Sequence, residues 1–254
     1  MVSVSVAEIA DSTTGQLASP RPGEVQVWLA NLDPGAAVVD RLVAVLSPDE
    51  RERAALFHFR SDAMRWIVAR ATLRDILGAC LQMAPAAVAF RYGDKGKPAL
   101  AAALGRSELQ FSVSHSANLA AFGVTVDAPV GVDVERLRVV DDMQRIAERS
   151  FSPRECTALR GLPRELRSVG FFNCWTRKEA YIKALGAGLS YPLDQFSVSL
   201  VPGAPARLES VHNTPAHVHT WTMEALPLPE GFTGAVVVGR TGVRVRCERW
   251  GRPR

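Results

Sequence analysis

The chain has 254 residues, 47% of them hydrophobic and 22% charged, with a formal net charge of +4; these are ordinary values for a soluble globular protein of one large domain or two modest ones. No apolar run approaches the roughly 20 residues that span a bilayer, and the N-terminus has no basic residue before Arg21 and no apolar block, which speaks against a membrane span or a secretory leader and gives the cytoplasm as the expected compartment. The mildly basic balance suits an anionic ligand or an acidic partner, while arginines without interleaved aromatics or a compact basic helix speak against nucleic acid.

In chain order, residues 1–23 are rich in Ser, Thr, Ala and Pro, show no sustained period, and are expected as a flexible N-terminal tail. "VQVWLA" (25–30) predicts a first strand. Ser47, Pro48 and Glu50 form a capping box with proline at the first helical position, which opens a helix running to about residue 57. A longer helix is expected over 61–81, with Met64, Ile67, Val68, Ala71 and Ile76 on its buried side. "GDKGKP" (93–98) reads as a loop. Strands are expected at 109–116, 119–126 and 130–137; in the last, Val130, Val132 and Val134 point one way and Gly131, Asp133 and Glu135 the other. Helices follow at 140–149, after a second capping box "SPRE" (152–155), and over 165–186, where Gly186 and Gly188 supply the stop. From Gln195 onward "QFSVSL", "HVHTWTMEAL", "GAVVVG" and "VRVRCERW" are strand-like. The tetrapeptide "FSVS" begins at both Phe111 and Phe196, each time after a long helix and a glycine-containing loop, a hint of two similar α+β halves.

Asp133 and Glu135 carry the sharpest chemical signal. Two carboxylates at i and i+2 on a strand share one face and repel unless a cation lies between them; Mg²⁺, which prefers oxygen ligands, would serve. Glu179 is a third carboxylate, one helical turn from Lys183, and ionised near neutrality if burial is modest. Such a glutamate could take a proton. The chain has 26 Arg but only 4 Lys, and those four fall in two short stretches, Lys95 and Lys97 in "DKGKP", Lys178 and Lys183 in the helix over 165–186. Lysine is a compact point charge suited to a single phosphate oxygen. His115, beside Ser114 at a strand end, could hold a phosphate, whereas His217 and His219 read as structural. The four cysteines lack metal-ligand or disulfide spacing and read as reduced packing residues. A hydrolase triad and a Walker A loop are both missing.

Four stretches together, "GKP" (96–98), "FSVSHS" (111–116), "GVDVE" (131–135) and "WTRKEAYIKALGAG" (175–188), resemble the signature set of the 4′-phosphopantetheinyl transferases, of the larger surfactin-synthetase-activating type. The resemblance covers roughly residues 47 to 200. It implies an α+β fold of two pseudo-symmetric halves, each a small, mostly antiparallel sheet packed on a long helix. The halves are expected at 24–128 and 129–254, with coenzyme A and Mg²⁺ in the cleft between them. It implies transfer of the phosphopantetheine arm of coenzyme A to a serine of an apo acyl, peptidyl or aryl carrier protein, in polyketide, nonribosomal-peptide or fatty-acid pathways, by a monomer. By the same resemblance Asp133, Glu135 and Glu179 would bind Mg²⁺, and Glu179 would be the base. Lys183, Ser114 and His115 would contact phosphate, and Lys97 would line the nucleotide side. Where the family often has two lysines for the 3′-phosphate, this chain has Glu50 and Arg53, so Arg53, Arg65 and His115 are the expected contacts. Glu155 matches a further family acid and equally a helix cap. A Mg²⁺-dependent nucleotide pyrophosphatase and an inactive carrier-protein-binding module are the alternatives.

Overall fold

A computed structural model describes residues 19–93, 96–188, 191–212 and 214–251; residues 1–18 of the expected tail, and Lys95, lie outside them. The first half opens with β1 (Glu24–Asn31), α1 (Ala36–Val43), α2 (Pro48–Ala55) and α3 (Arg60–Leu81). The short hairpin β2 (Phe90–Tyr92) and β3 (Pro98–Leu100) flanks the expected loop, and β4 (Leu109–Ser116) and β5 (Leu119–Val126) follow. The second half comprises β6 (Val130–Arg136), α4 (Met143–Ser150), α5 (Pro153–Gly161), α6 (Arg167–Leu185), β7 (Phe196–Val198), β8 (Leu208–Val211), β9 (Thr222–Ala225), β10 (Phe232–Val238) and β11 (Arg244–Arg249). The fold is α+β with several small, mostly antiparallel sheets. Among the described residues no helix is long and apolar enough to cross a membrane.

Two sheets position the site. The first runs β11-β1-β5-β4 and the second β6-β10-β9. The last strand, β11, leaves the second half and pairs parallel to β1 in the first sheet. β1 is buried on both faces: Trp28 and Ala30 join the α3 core with Val68, Ala71 and Ile76, while Val25, Val27 and Leu29 face the second sheet. There they meet Val130, Val132 and Val134 of β6, the valine face that strict alternation predicts. Gly123 of β5 makes this approach possible, since a Cβ there would lie 2.7 Å from Val132 Cγ1.

Both expected capping boxes form, and each does more than cap. Glu50 accepts from the Ser47 N–H and is buried between the guanidinium groups of Arg70 and Arg74 on α3. Glu155 accepts from the Ser152 N–H, lies 2.8 Å from the fully buried Lys178 ammonium of α6, and also takes the Val198 N–H. In both halves a short capped helix therefore buries a glutamate against a cation of the long helix behind it. In both, that cation also faces a phenylalanine: Arg70 over Phe90 at 3.9 Å and Lys178 over Phe196 at 4.2 Å. Glu155 is thus a capping and core-pairing residue.

Three local differences from the sequence reading have local causes. Helix α1 starts at Ala36, after Gly35 at the cap position and without a side-chain cap, and has no counterpart among the expected elements. The alternation in "HVHT" does not make a strand: Pro215, which fixes φ and lacks an N–H, opens a 3₁₀ turn over Pro215–Thr220, and β9 begins only at Thr222. The long second-half helix starts at Arg167, after a 3₁₀ turn over Arg164–Leu166, and ends where Gly186 takes a left-handed φ of +67°.

Candidate active site

The acid face of β6 is covered by α6, and a glycine permits it. A Cβ at Gly131 would lie 1.9 Å from Ala180 O and 2.6 Å from Ala184 N, so only glycine lets the helix backbone come this close. That contact fixes the height of α6 along β6. It sets Glu179 and Lys183, which flank the contact on the helix, opposite Asp133.

The Lys183 ammonium donates to Asp133 Oδ1 at 2.7 Å and to Val132 O at 3.2 Å. The Ser114 hydroxyl donates to the same Oδ1 at 2.7 Å. Among the described residues Asp133 Oδ2 is buried without a hydrogen-bond partner, and the same holds for Glu179 Oε1. Burial pushes the Asp133 carboxyl up, with Lys183 and Ser114 opposing. Burial and the Asp133 charge push Glu179 up to about 7, with Lys183 opposing and Glu135 adding a smaller push. Glu135 is more exposed: its Oε2 accepts from Ser116 Oγ at 2.8 Å and from Arg138 Nη1 at 3.0 Å.

Two of these side chains, Glu179 and Lys183, border a cleft of about 360 Å³ between the 96–98 loop, β4 and the C-terminal end of α6. Lys97 lines it as well. A second cavity of about 560 Å³ adjoins it through Lys97, Pro98, Phe111 and Gly186, and adds Arg91 and Arg106 to its wall. The cleft is therefore walled by segments of both halves, with Lys97, Lys183, Arg91 and Arg106 along it and the Glu179 carboxylate among them.

The donor set fits a hard divalent cation at two of the three expected acids. Among the described residues Asp133 Oδ2 and Glu179 Oε1 are unpartnered carboxylate oxygens, the Asp133 charge is close enough to raise the Glu179 pKa, and buried anions without partners are costly. The third acid differs from expectation. Among the described residues no group of three His, Cys, Asp or Glu side chains is gathered at metal-binding range. Glu135 is held instead by the Ser116 hydroxyl and the Arg138 guanidinium.

The expected phosphate contacts divide in the same way. Lys183 stands at the cleft wall. His115 is exposed at the end of β4, and desolvation and the nearby Lys183 charge hold its imidazole below the ordinary value, with Glu135 opposing. The Lys97 ammonium is taken up by carbonyls, donating to Lys183 O at the end of α6 and to Val130 O at 3.4 Å; burial and the Lys183 charge lower its pKa. Ser114 points at Asp133. Arg65 makes a two-pronged pair with Asp33 at 2.9 and 3.0 Å on the wall of a different cavity, and Arg53 lies over the Trp66 ring at 5.7 Å. Neither arginine lines the Glu179–Lys183 cleft. Trp175 stacks on Phe171 in the core of the second half.

Sequence reasoning missed Ser112 and Ser116. The alternation of serines in "SVSHS" was the available signal, but its partners lie on another strand.

Comparison with known proteins covers both halves. A model described as the 4′-phosphopantetheinyl transferase superfamily matches residues 129–237, and one described as 4′-phosphopantetheinyl transferase, N-terminal, matches residues 31–125. The chain is 38% identical over 219 residues to 4′-phosphopantetheinyl transferase HetI of Nostoc sp., covering 86% of this chain and 89% of that one. It is 31% identical over 202 residues to 4′-phosphopantetheinyl transferase ffp of Bacillus subtilis, covering 79% and 85%. To 4′-phosphopantetheinyl transferase Sfp of Bacillus subtilis it is 28% identical over 188 residues, covering 73% and 80%.

Proposed function

The chain belongs to the 4′-phosphopantetheinyl transferase superfamily, of the type that includes Sfp, and on that premise we propose that it moves the 4′-phosphopantetheine arm of coenzyme A onto a serine of an apo acyl, peptidyl or aryl carrier protein in a Mg²⁺-dependent reaction. The carrier hydroxyl oxygen bonds to the phosphorus that bears the pantetheine arm. The bond from that phosphorus to the bridging oxygen breaks, and adenosine 3′,5′-bisphosphate leaves. The hydroxyl proton goes to Glu179, directly or through a water.

One observation carries this reading: two buried carboxylate oxygens without partners, Asp133 Oδ2 and Glu179 Oε1, beside the Lys183 ammonium at the wall of a cleft between the halves. Asp133 and Glu179 would hold the Mg²⁺, which supplies charge neutralisation at the diphosphate. Lys183 neutralises a phosphate oxygen by exchanging its bond to Asp133 for one to the substrate. Glu179, pushed up to about 7 by burial and the Asp133 charge in the metal-free protein, is the carboxylate placed to accept the proton. What remains for the protein is positioning, and the Gly131 contact fixes the base and the lysine on one rigid helix.

The test is to mix the protein with coenzyme A, Mg²⁺ and an apo carrier protein and to read the carrier's intact mass. Gain of one phosphopantetheine is expected. Cleavage of coenzyme A without a carrier would make the protein a pyrophosphatase, and no turnover would make it a binding module. Glu179→Gln should bind coenzyme A and lose transfer; transfer at the wild-type rate would remove Glu179 from its role.

A further inference from the structure

β4 and β6 lie side by side but belong to different sheets: the backbone of β4 pairs with β5 and that of β6 with β10. Serine hydroxyls bridge the gap. Ser112 Oγ accepts from Val132 N at 3.1 Å, Ser114 Oγ from Val134 N at 3.3 Å, and Ser116 Oγ from Arg136 N at 3.1 Å. Each hydroxyl thus takes an N–H that an adjoining strand's carbonyl would otherwise take. A hydroxyl that accepts still has one proton to donate. Ser114 gives it to Asp133 Oδ1 at 2.7 Å and Ser116 to Glu135 Oε2 at 2.8 Å.

The two period-2 patterns run in step. Each serine accepts the N–H of one β6 residue and faces the side chain of the residue before it. Opposite Ser114 that side chain is Asp133, and opposite Ser116 it is Glu135. Opposite Ser112 it is Gly131, which offers nothing to bond. Ser112 therefore makes the seam bond alone, and the other two make the seam bond and hold a carboxylate.

We propose that Ser114 is a positioning residue for the divalent cation. By engaging one oxygen of Asp133, Ser114 fixes the carboxylate rotamer and leaves Oδ2 free alongside Glu179 Oε1. Ser116 holds Glu135 at the rim in the same way. The inference rests on the reading of Asp133 and Glu179 as metal ligands. It gives Ser114 a role in orienting a ligand, in place of the expected phosphate contact.

The test titrates the full chain with Mn²⁺ alone, read by electron paramagnetic resonance, with thermal melts to show that each variant is folded. Ser114→Ala should weaken Mn²⁺ binding about ten- to a hundred-fold, the usual effect of removing a group that orients a metal ligand. Ser116→Ala should weaken it less, Ser112→Ala should leave it unchanged, and Ser114→Thr, which keeps the hydroxyl, should restore it. In turnover, Ser114→Ala should need more Mg²⁺, recover its kcat when Mg²⁺ is raised, and keep its KM for coenzyme A. Unchanged Mn²⁺ affinity in Ser114→Ala, or an equal loss in all three alanine variants, overturns the proposal and leaves the metal site standing. A wild-type protein that does not bind Mn²⁺ overturns both.

Discussion

Glu179 is costly to the fold for the reason that makes it useful. Its folded pKa is about 7, against a reference of 4.5. Between those values the folded state binds more protons than the unfolded state, so in the metal-free protein its contribution to stability falls as pH rises through that window and is least favourable above 7. Replacing it with neutral glutamine should therefore stabilise the metal-free protein at pH 8 by on the order of 2–3 kcal/mol and have little effect at pH 4. Urea unfolding at the two pH values measures this, and equal effects at both would mean that Glu179 is not held under strain. Asp133, Glu135, Glu179 and Lys183 were legible in the sequence because their spacings, i, i+2 on a strand and i, i+4 on a helix, fix which face they share. The destinations of Lys97, Ser114 and Arg65 were not. Their partners, Lys183 O, Asp133 and Asp33, lie on other elements, and no local period encodes that.

At the scale of elements, the site depends on how closely α6 lies on β6. Gly131→Ala forces a methyl against the Ala180 carbonyl and the Ala184 N–H, both backbone atoms that cannot rotate away. The helix must move as a whole, and a loss of about 3 kcal/mol or more is expected, toward the upper end of overpacking effects. Mn²⁺ affinity should fall with it, because Glu179 and Lys183 move away from Asp133. A variant with wild-type urea midpoint and wild-type affinity would show that the contact does not set the site. The Glu155–Lys178 pair gives the opposite signature. Glu155→Ala leaves a fully buried ammonium without its counter-charge and should cost about 3–5 kcal/mol, yet once folded at low temperature the variant should keep its Mn²⁺ affinity. A specific loss of Mn²⁺ binding would instead make Glu155 a ligand. Both "SPxE" caps could be read directly, since the motif is local. Their burial against Arg70, Arg74 and Lys178 could not, because it arises only when the capped helix docks on the long one.

For the molecule as a whole, the division into halves is clearer in the chain than in the packing. The two family models meet in the tight turn between β5 and β6, where Asp127 takes a left-handed φ of 59°. The core does not divide at that point. Val25, Val27 and Leu29 of the first sheet pack with Val130, Val132, Val236 and Val238 of the second and with Cys247 of β11. β11 adds a backbone ladder from the end of the chain to its first strand, a pairing between remote segments that leaves no local pattern to read. Neither half can bury its own valine face, so exposing that face on separation would forfeit roughly 1.5–3 kcal/mol per large side chain. Unfolding should therefore be a single transition. Trp28, Trp66 and Trp250 report on the first-half core, and Trp175 and Trp221 on the second. Variants that keep one tryptophan from each set should show the same urea midpoint, matching that of far-ultraviolet circular dichroism. Two separated midpoints would mean that the halves stand alone and that the cleft between them is free to open, which a site assembled from β4, β6 and α6 could not tolerate.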